Sequence, residues 1–228
     1  MNNPIKTLTK REWSIWLGSI IIVLISNLAT KDFDLLTLVA ALTGVTSLIF
    51  AAKGNVWGQV LMILFSILYG IISFRFRYWG EMMTYLGMTL PMAVWSTITW
   101  IENPSENNGN EVQIQSLSKK HIVALCISGI IVTAAFYYIL KSFNTPNIIF
   151  STISIITSFI AASLTMLRSS YYAVWYAVND VVLIILWVLA SLKDPAYIPV
   201  VVNFSIFFMN DMYGFMSWKQ RELEQAEV

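Results

Sequence analysis

The stretch from Tyr171 to Trp187 is apolar enough to cross a membrane, yet it carries Asn179 and Asp180 in its middle. A second stretch, from Asn203 to Trp218, repeats the oddity with Asn210 and Asp211. A carboxylate deep in a bilayer costs roughly 2.5–3.5 kcal/mol on insertion scales, and such residues face a bundle interior or a water-filled cavity. Two such pairs in consecutive spans predict one shared polar site.

A span needs about 20 mostly apolar residues. Eight candidates follow one another, near 13–29, 35–52, 56–74, 80–101, 120–140, 147–167, 171–191 and 197–218. Prolines mark their edges: Pro146 precedes the sixth, Pro195 and Pro199 open the last, and Pro91 interrupts the fourth, as a hinge or a static kink. With 57% hydrophobic and 12% charged residues, against about 25% charged in soluble domains, the fold class is an all-α polytopic membrane protein. The first run is followed by Ser26-Asn-Leu-Ala-Thr-Lys31 and further spans, which predicts a retained helix and no cleaved signal.

Basic residues sit singly or in pairs, so no nucleic-acid partner is expected. Cys126 stands alone and makes neither an intramolecular disulfide nor a metal cluster; no metal or cofactor is expected. Enzyme motifs are missing: there is no His-Glu-x-x-His, no Gly-x-Ser-x-Gly and no Gly-rich phosphate loop. Asp180 and Asp211 are formally the two aspartates of an intramembrane aspartyl protease, but each sits in an Asn-Asp pair foreign to such enzymes. Bulky aromatics around the polar residues favour an organic ligand over an ion file.

Glu102–Lys120 is the one long polar connection and reads as a linker between halves. Eight spans put both termini on one side with nine basic residues (Lys6, Lys10, Arg11, Lys53, Lys119, Lys120, Arg168, Lys219, Arg221), against Lys31, Arg75, Arg77, Lys141 and Lys193 on the other. Positive-inside counting then predicts cytoplasmic termini and a plasma (inner) membrane location.

Sliding the chain by 118 residues superposes Trp57 on Trp175, Tyr69 on Trp187, Trp79 on Tyr197, Trp95 on Tyr213 and Trp100 on Trp218. The competing explanation is that interfacial Trp and Tyr recur at every span end. As a repeat, it lays spans two to four over spans six to eight in parallel orientation. The segments are an N-terminal helix (1–33), a first three-helix repeat (34–101), a linker with an intervening helix (102–145), a second repeat (146–220) and a tail (221–228).

Tyr172, Trp175, Tyr176, Asn179, Asp180, Leu183 and Trp187 follow helical spacings of three and four and form one stripe. By helical rise, Asp180 lies about 13 Å and Asp211 roughly 10 Å from the same membrane edge, so the pairs are level. Asn203, Asn210 and Gly214 share a face of the last span, bordered by Asp211 and Tyr213. In the first repeat Leu61 and Met62 stand where the second has Asn179 and Asp180, which concentrates polar function in the second half. Gln59, Glu81, Thr84, Tyr85 and Thr89 are the polar groups the first half can offer, although Glu81, close to a membrane edge, reads better as a solvated surface carboxylate; His121 reads as interfacial. The bland alternative for Asn179 and Asn210 is interhelical packing.

The segments Trp79-Gly-Glu-Met-Met, Leu90-Pro-Met92, Trp175-x-x-x-Asn179-Asp with Trp187, and Asn203-Phe with Asn210-Asp-x-Tyr-Gly and Trp218 resemble the PnuC family of vitamin transporters, over roughly 40–220. The resemblance implies a SWEET-like arrangement of three plus one plus three helices with an extra N-terminal helix, and assembly as a homotrimer. It implies uptake of nicotinamide riboside by facilitated diffusion with alternating access, trapped by cytoplasmic phosphorylation and feeding NAD biosynthesis. Relatives carry thiamine, riboflavin or nucleosides, and Ala93 and Ser96 depart from a common pattern. On this reading Trp175, Tyr176, Trp187 and Tyr213 stack on a flat ring, Asn179, Asn203 and Asn210 bond ribose hydroxyls, and Asp180 and Asp211 favour a cation. Gln59 completes the expected substrate contacts.

Overall fold

The computed structural model describes residues 4–29, 33–75, 79–106, 109–145 and 147–227. Pro146, Lys31 and Arg77 lie outside the described residues. After a 3₁₀ turn at Pro4–Thr7 come α1 (Lys10–Leu28), α2 (Leu35–Ala52), α3 (Trp57–Arg75), α4 (Trp79–Thr84), α5 (Leu90–Glu102), α6 (Lys119–Ser142), α7 (Ile148–Met166), α8 (Tyr172–Ser191) and α9 (Ile198–Ala226). Seven of these are long and apolar enough to cross a bilayer. The eighth expected crossing is composite: α4 and α5 are joined through a π-helical segment, Tyr85–Thr89.

That segment begins six residues before Pro91, at the second position of α5. Proline lacks the N–H a helix needs from its interior, and a π turn is a way to absorb the mismatch. It faces Gly70 of α3, where an added Cβ would come within 2.5 Å of the Leu86 side chain. A glycine is what lets the widened turn pass.

Helix starts are written locally. Thr9 and Glu12 form a capping box at α1, Asp34 caps α2 through Thr37, and Ser118 caps α6 through His121. The turn after α2 puts Gly54 at φ 70 and bonds its N–H to Ala51 O and that of Asn55 to Phe50 O. The turn after α7 repeats it with Arg168 at φ 55, bonded to Thr165 O, and Ser169, bonded to Leu164 O. These turns match at an offset of 114 rather than 118, so the first helices of the two repeats, α2 and α7, need a four-residue shift that an ungapped slide hides.

The repeats pack in corresponding ways: α2 lies on α3 and on α9, while α7 lies on α8 and on α5. The helix before each repeat is also alike in position. α1 packs on α2 and α9; α6 packs on α7 and touches α4. The N-terminal helix is the counterpart of the intervening one.

Two expectations change at the face that carries the termini. The polar connection is not a free linker, since Val112 is buried and its N–H bonds Gly54 O, while the Ile114 N–H bonds the Gln225 side chain. Residues 221–226, expected as a tail, continue α9 and hold that strap in place.

Candidate functional site

A cavity of about 370 Å³ runs from the middle of the bundle toward the face opposite the termini. Its floor is Asp180, Asp211, Asn179 and Tyr176; its mouth is lined by Trp79, Phe143 and Asn144, at helix ends on the far side. The stripe predicted on α8 is the reason: successive steps of three and four bring Tyr176, Asn179, Asp180, Leu183 and Trp187 to one wall.

Asp180 and Asp211 are both buried, 4% exposed, and their side chains are in hydrogen-bonding contact. No hydrogen-bond donor reaches Asp180 Oδ2 among the described residues. The level placement expected from helical rise is therefore met by the aspartates. Asn179 Oδ1 accepts from Ser154 Oγ at 3.0 Å and Thr157 Oγ1 at 2.9 Å, both on α7. This fixes the amide orientation and leaves its NH₂ group as the half that can serve a ligand.

Other predicted residues go elsewhere. Trp187 lines the cavity, but Trp175 packs among the terminus-side apolar residues instead. Tyr213 is turned to α1, under the Arg11 guanidinium, 5.3 Å from the ring centre. Gln59 is buried in the first turn of α3 and lines no described cavity. Asn210 donates to Ser19 Oγ of α1 at 3.0 Å and to Ile206 O, which is the interhelical role weighed against it above. Asn203 faces a different cavity.

Sequence reading underweighted Glu81. It was expected at a solvated edge, but it lines the cavity and is hydrogen-bonded by Tyr69. Tyr85, on the π segment, stands near Glu81, Asp180 and Tyr176. The proline six residues on was the available signal, because a disturbed helix turns side chains out of the regular stripe.

Toward the termini the bundle is shut. Trp100 and Trp218, 1% and 0% exposed, meet at 5.4 Å between ring centres, and Tyr172 abuts Trp218 at 4.7 Å. Trp218 Nε1 donates to Ala51 O at 2.8 Å and Trp100 Nε1 to Thr165 O at 2.9 Å. Ala51 and Thr165 are equivalent by the offset of 114, and the tryptophans by 118. Each repeat thus locks onto the same carbonyl of the other. Outside this pair, Glu12, Lys53, Glu111 and Arg221 form one ion-pair cluster, with Arg221 Nε 2.9 Å from Glu111 and Lys53 Nζ 3.3 Å from Glu12. Among the described residues no cluster of metal-ligating side chains occurs.

A duplicated helical bundle with a blind, carboxyl-floored cavity midway along membrane-length helices is the architecture of a polytopic membrane transporter. The sequence profile of the nicotinamide mononucleotide transporter family matches residues 34–220, and the chain belongs to that family. It is 24% identical over 187 residues to the nicotinamide riboside transporter PnuC of Neisseria mucosa, covering 79% of this chain and 70% of that protein. It is 22% identical over 206 residues to the nicotinamide riboside transporter PnuC of Haemophilus influenzae, covering 90% and 88%. The crystal structure of the vitamin B3 transporter PnuC superposes with a TM-score of 0.82 at 21% identity, over 96% of this chain and 94% of that one.

Proposed function

We propose that this protein moves nicotinamide riboside across the cytoplasmic membrane, with its termini in the cytoplasm. The observation that carries the reading is the charge of the cavity: Asp180, Asp211 and Glu81 line it, and no lysine, arginine or histidine does among the described residues. The family is described by a mononucleotide, whereas the curated relatives are named for the riboside. A phosphate monoester brings about −1.5 to −2 charges at neutral pH, against three carboxyls and no cation. The riboside is a pyridinium cation without phosphate, and it suits this wall. Tyr176 and Trp187 offer faces to the ring, worth about 0.5–2 kcal/mol for a cation, and the Asn179 NH₂ is free to bond a hydroxyl or carboxamide oxygen.

Transport proceeds by alternating access: the cavity opens to the far face here, and opening to the termini requires the Trp100–Trp218 lock to part. No site for nucleotide hydrolysis is called for. A facilitator only equalises concentrations, so net uptake depends on consumption of the riboside in the cytoplasm, by phosphorylation. The aspartate contact is also what an intramembrane aspartyl protease would need, but a cavity of this volume suits a nucleoside-sized molecule rather than a peptide in extended form.

Titration of the purified protein with nicotinamide riboside, its 5′-mononucleotide, thiamine, riboflavin and uridine tests the substrate. Tight binding of the mononucleotide, or preference for neutral riboflavin, overturns the reading. Uptake of the riboside into liposomes that is unchanged by an imposed proton gradient is expected; gradient-driven accumulation would make the aspartate pair a proton carrier.

A further inference from the structure

A second cavity, of about 320 Å³, lies between α1, α2, α3 and α9 toward the same far face. It is the repeat-related twin of the first. Thr37, Ala40 and Ala41 line it where Ser151, Ser154 and Ile155 line the central one, each at the offset of 114. Phe65, Tyr69 and Tyr197 line it where Leu183, Trp187 and Trp79 line the central one, each at 118. Asn203 stands in the place of Tyr85. A wall of Phe65, Phe204, Phe207 and Trp187 belongs to both.

The twin has its own chemistry. Asp34, Asp194 and Glu81 face it, and no basic side chain lines it among the described residues. Arg75 is close enough to Asp34 to act on it electrostatically but is not part of the lining. Burial opposes ionisation of Asp34, but hydrogen bonds from Thr37 and Leu36, with Arg75, outweigh it and hold the carboxyl below its usual range. Asn203 is 7% exposed, and its Oδ1 has no hydrogen-bond partner. A buried acceptor left without a donor is unfavourable, and a ligand's N–H or O–H would satisfy it. Tyr69, Tyr197 and Trp187 supply ring faces beside it.

We propose that this second cavity is a binding site in its own right for a small aromatic cation bearing a hydrogen-bond donor, the repeat-related partner of the central site. It loads from the same face and shares Glu81 and Trp187 with the central cavity, so a ligand in one alters the wall of the other. The choice of ligand rests on the riboside reading; the existence of the site rests on the cavity and on Asn203.

Equilibrium dialysis of the purified chain with radiolabelled nicotinamide riboside, and with 1-methylnicotinamide as a cation lacking ribose, counts the sites. Two equivalents per chain are expected, one weaker. Asp180→Asn with Asp211→Asn should weaken one class only. Asn203→Ala, and separately Asp34→Asn with Asp194→Asn, should weaken the other about tenfold. Asn caps helices as Asp does, so the last pair keeps both N-caps, and its thermal midpoint serves as the folding control. A single equivalent, insensitive to Asn203→Ala and to the Asp34, Asp194 pair but lost with Asp180→Asn, sinks the second site and leaves the riboside reading standing. No binding of either cation removes both.

Discussion

The two ends of this bundle are made from the same repeat and have opposite character. At the terminus face, repeat-equivalent residues are tryptophans that meet on the pseudo-twofold axis and fill it; at the far face, equivalent residues draw apart into two cavities. The difference teaches where the molecule must rearrange. The closed end is held by packed rings, two indole hydrogen bonds, an ion-pair cluster and a strap, whereas at the hollow end the described residues leave a cavity on each side of one aromatic wall. On the proposed alternating-access reading, passage to the terminus face would need the contacts of the closed end undone and the hollow end closed.

The largest effect should come from the closed end. Trp218→Ala or Trp100→Ala removes a fully buried ring and is expected to cost about 3–5 kcal/mol in detergent unfolding. The double variant should cost less than the sum, because the rings touch. Trp79→Ala, at the hollow end, should cost far less; equal losses would mean the two ends are packed alike. Next, Asp180→Asn should lower affinity for nicotinamide riboside by one to two powers of ten. A charge pair at 4 Å and an effective dielectric near 20 is worth about 4 kcal/mol before desolvation, each tenfold is about 1.4 kcal/mol, and hydration of the cavity takes back the rest. Neutral riboflavin should lose little; a matching loss would point to collapse of the cavity floor.

A smaller effect is expected at the π segment. Gly70→Val drives a branched side chain into Leu86 and should slow riboside flux in liposomes while equilibrium affinity is kept. Unchanged flux would show that the widened turn takes no part in opening. The smallest belongs to Asn210→Ala. Interhelical polar contacts in membranes average about 0.6 kcal/mol, so stability should fall by about that much and riboside affinity should stay. A large loss of affinity would return Asn210 to the site.

Much of this was legible because it is periodic. The apolar runs, the α8 stripe and the level of the aspartates follow from helical rise and spacing, which sequence states directly. Tyr213, Asn210 and Trp175 stand away from the central cavity for a common reason: periodicity says which residues share a face, not which neighbour that face meets. Tyr213 meets α1, whose presence beside α9 no pattern announces. Glu81 was underweighted because hydropathy sets it at an edge, while the fold turns its side chain onto the cavity wall. Asn203 was read with Asn210 and Gly214 as one face, yet a separate cavity can open on one flank of such a face.

The equivalence of α1 and α6 has a consequence for how such a chain can be put together. A unit of three crossings ends on the face opposite its start, so two of them cannot be fused head to tail in parallel without a further crossing between. A unit of four returns to its own face. Two such units can be spliced by a polar segment outside the bilayer, here the strap that Val112 pins, and a gene encoding only half is expected to insert, pair with its copy and be testable for transport as a dimer.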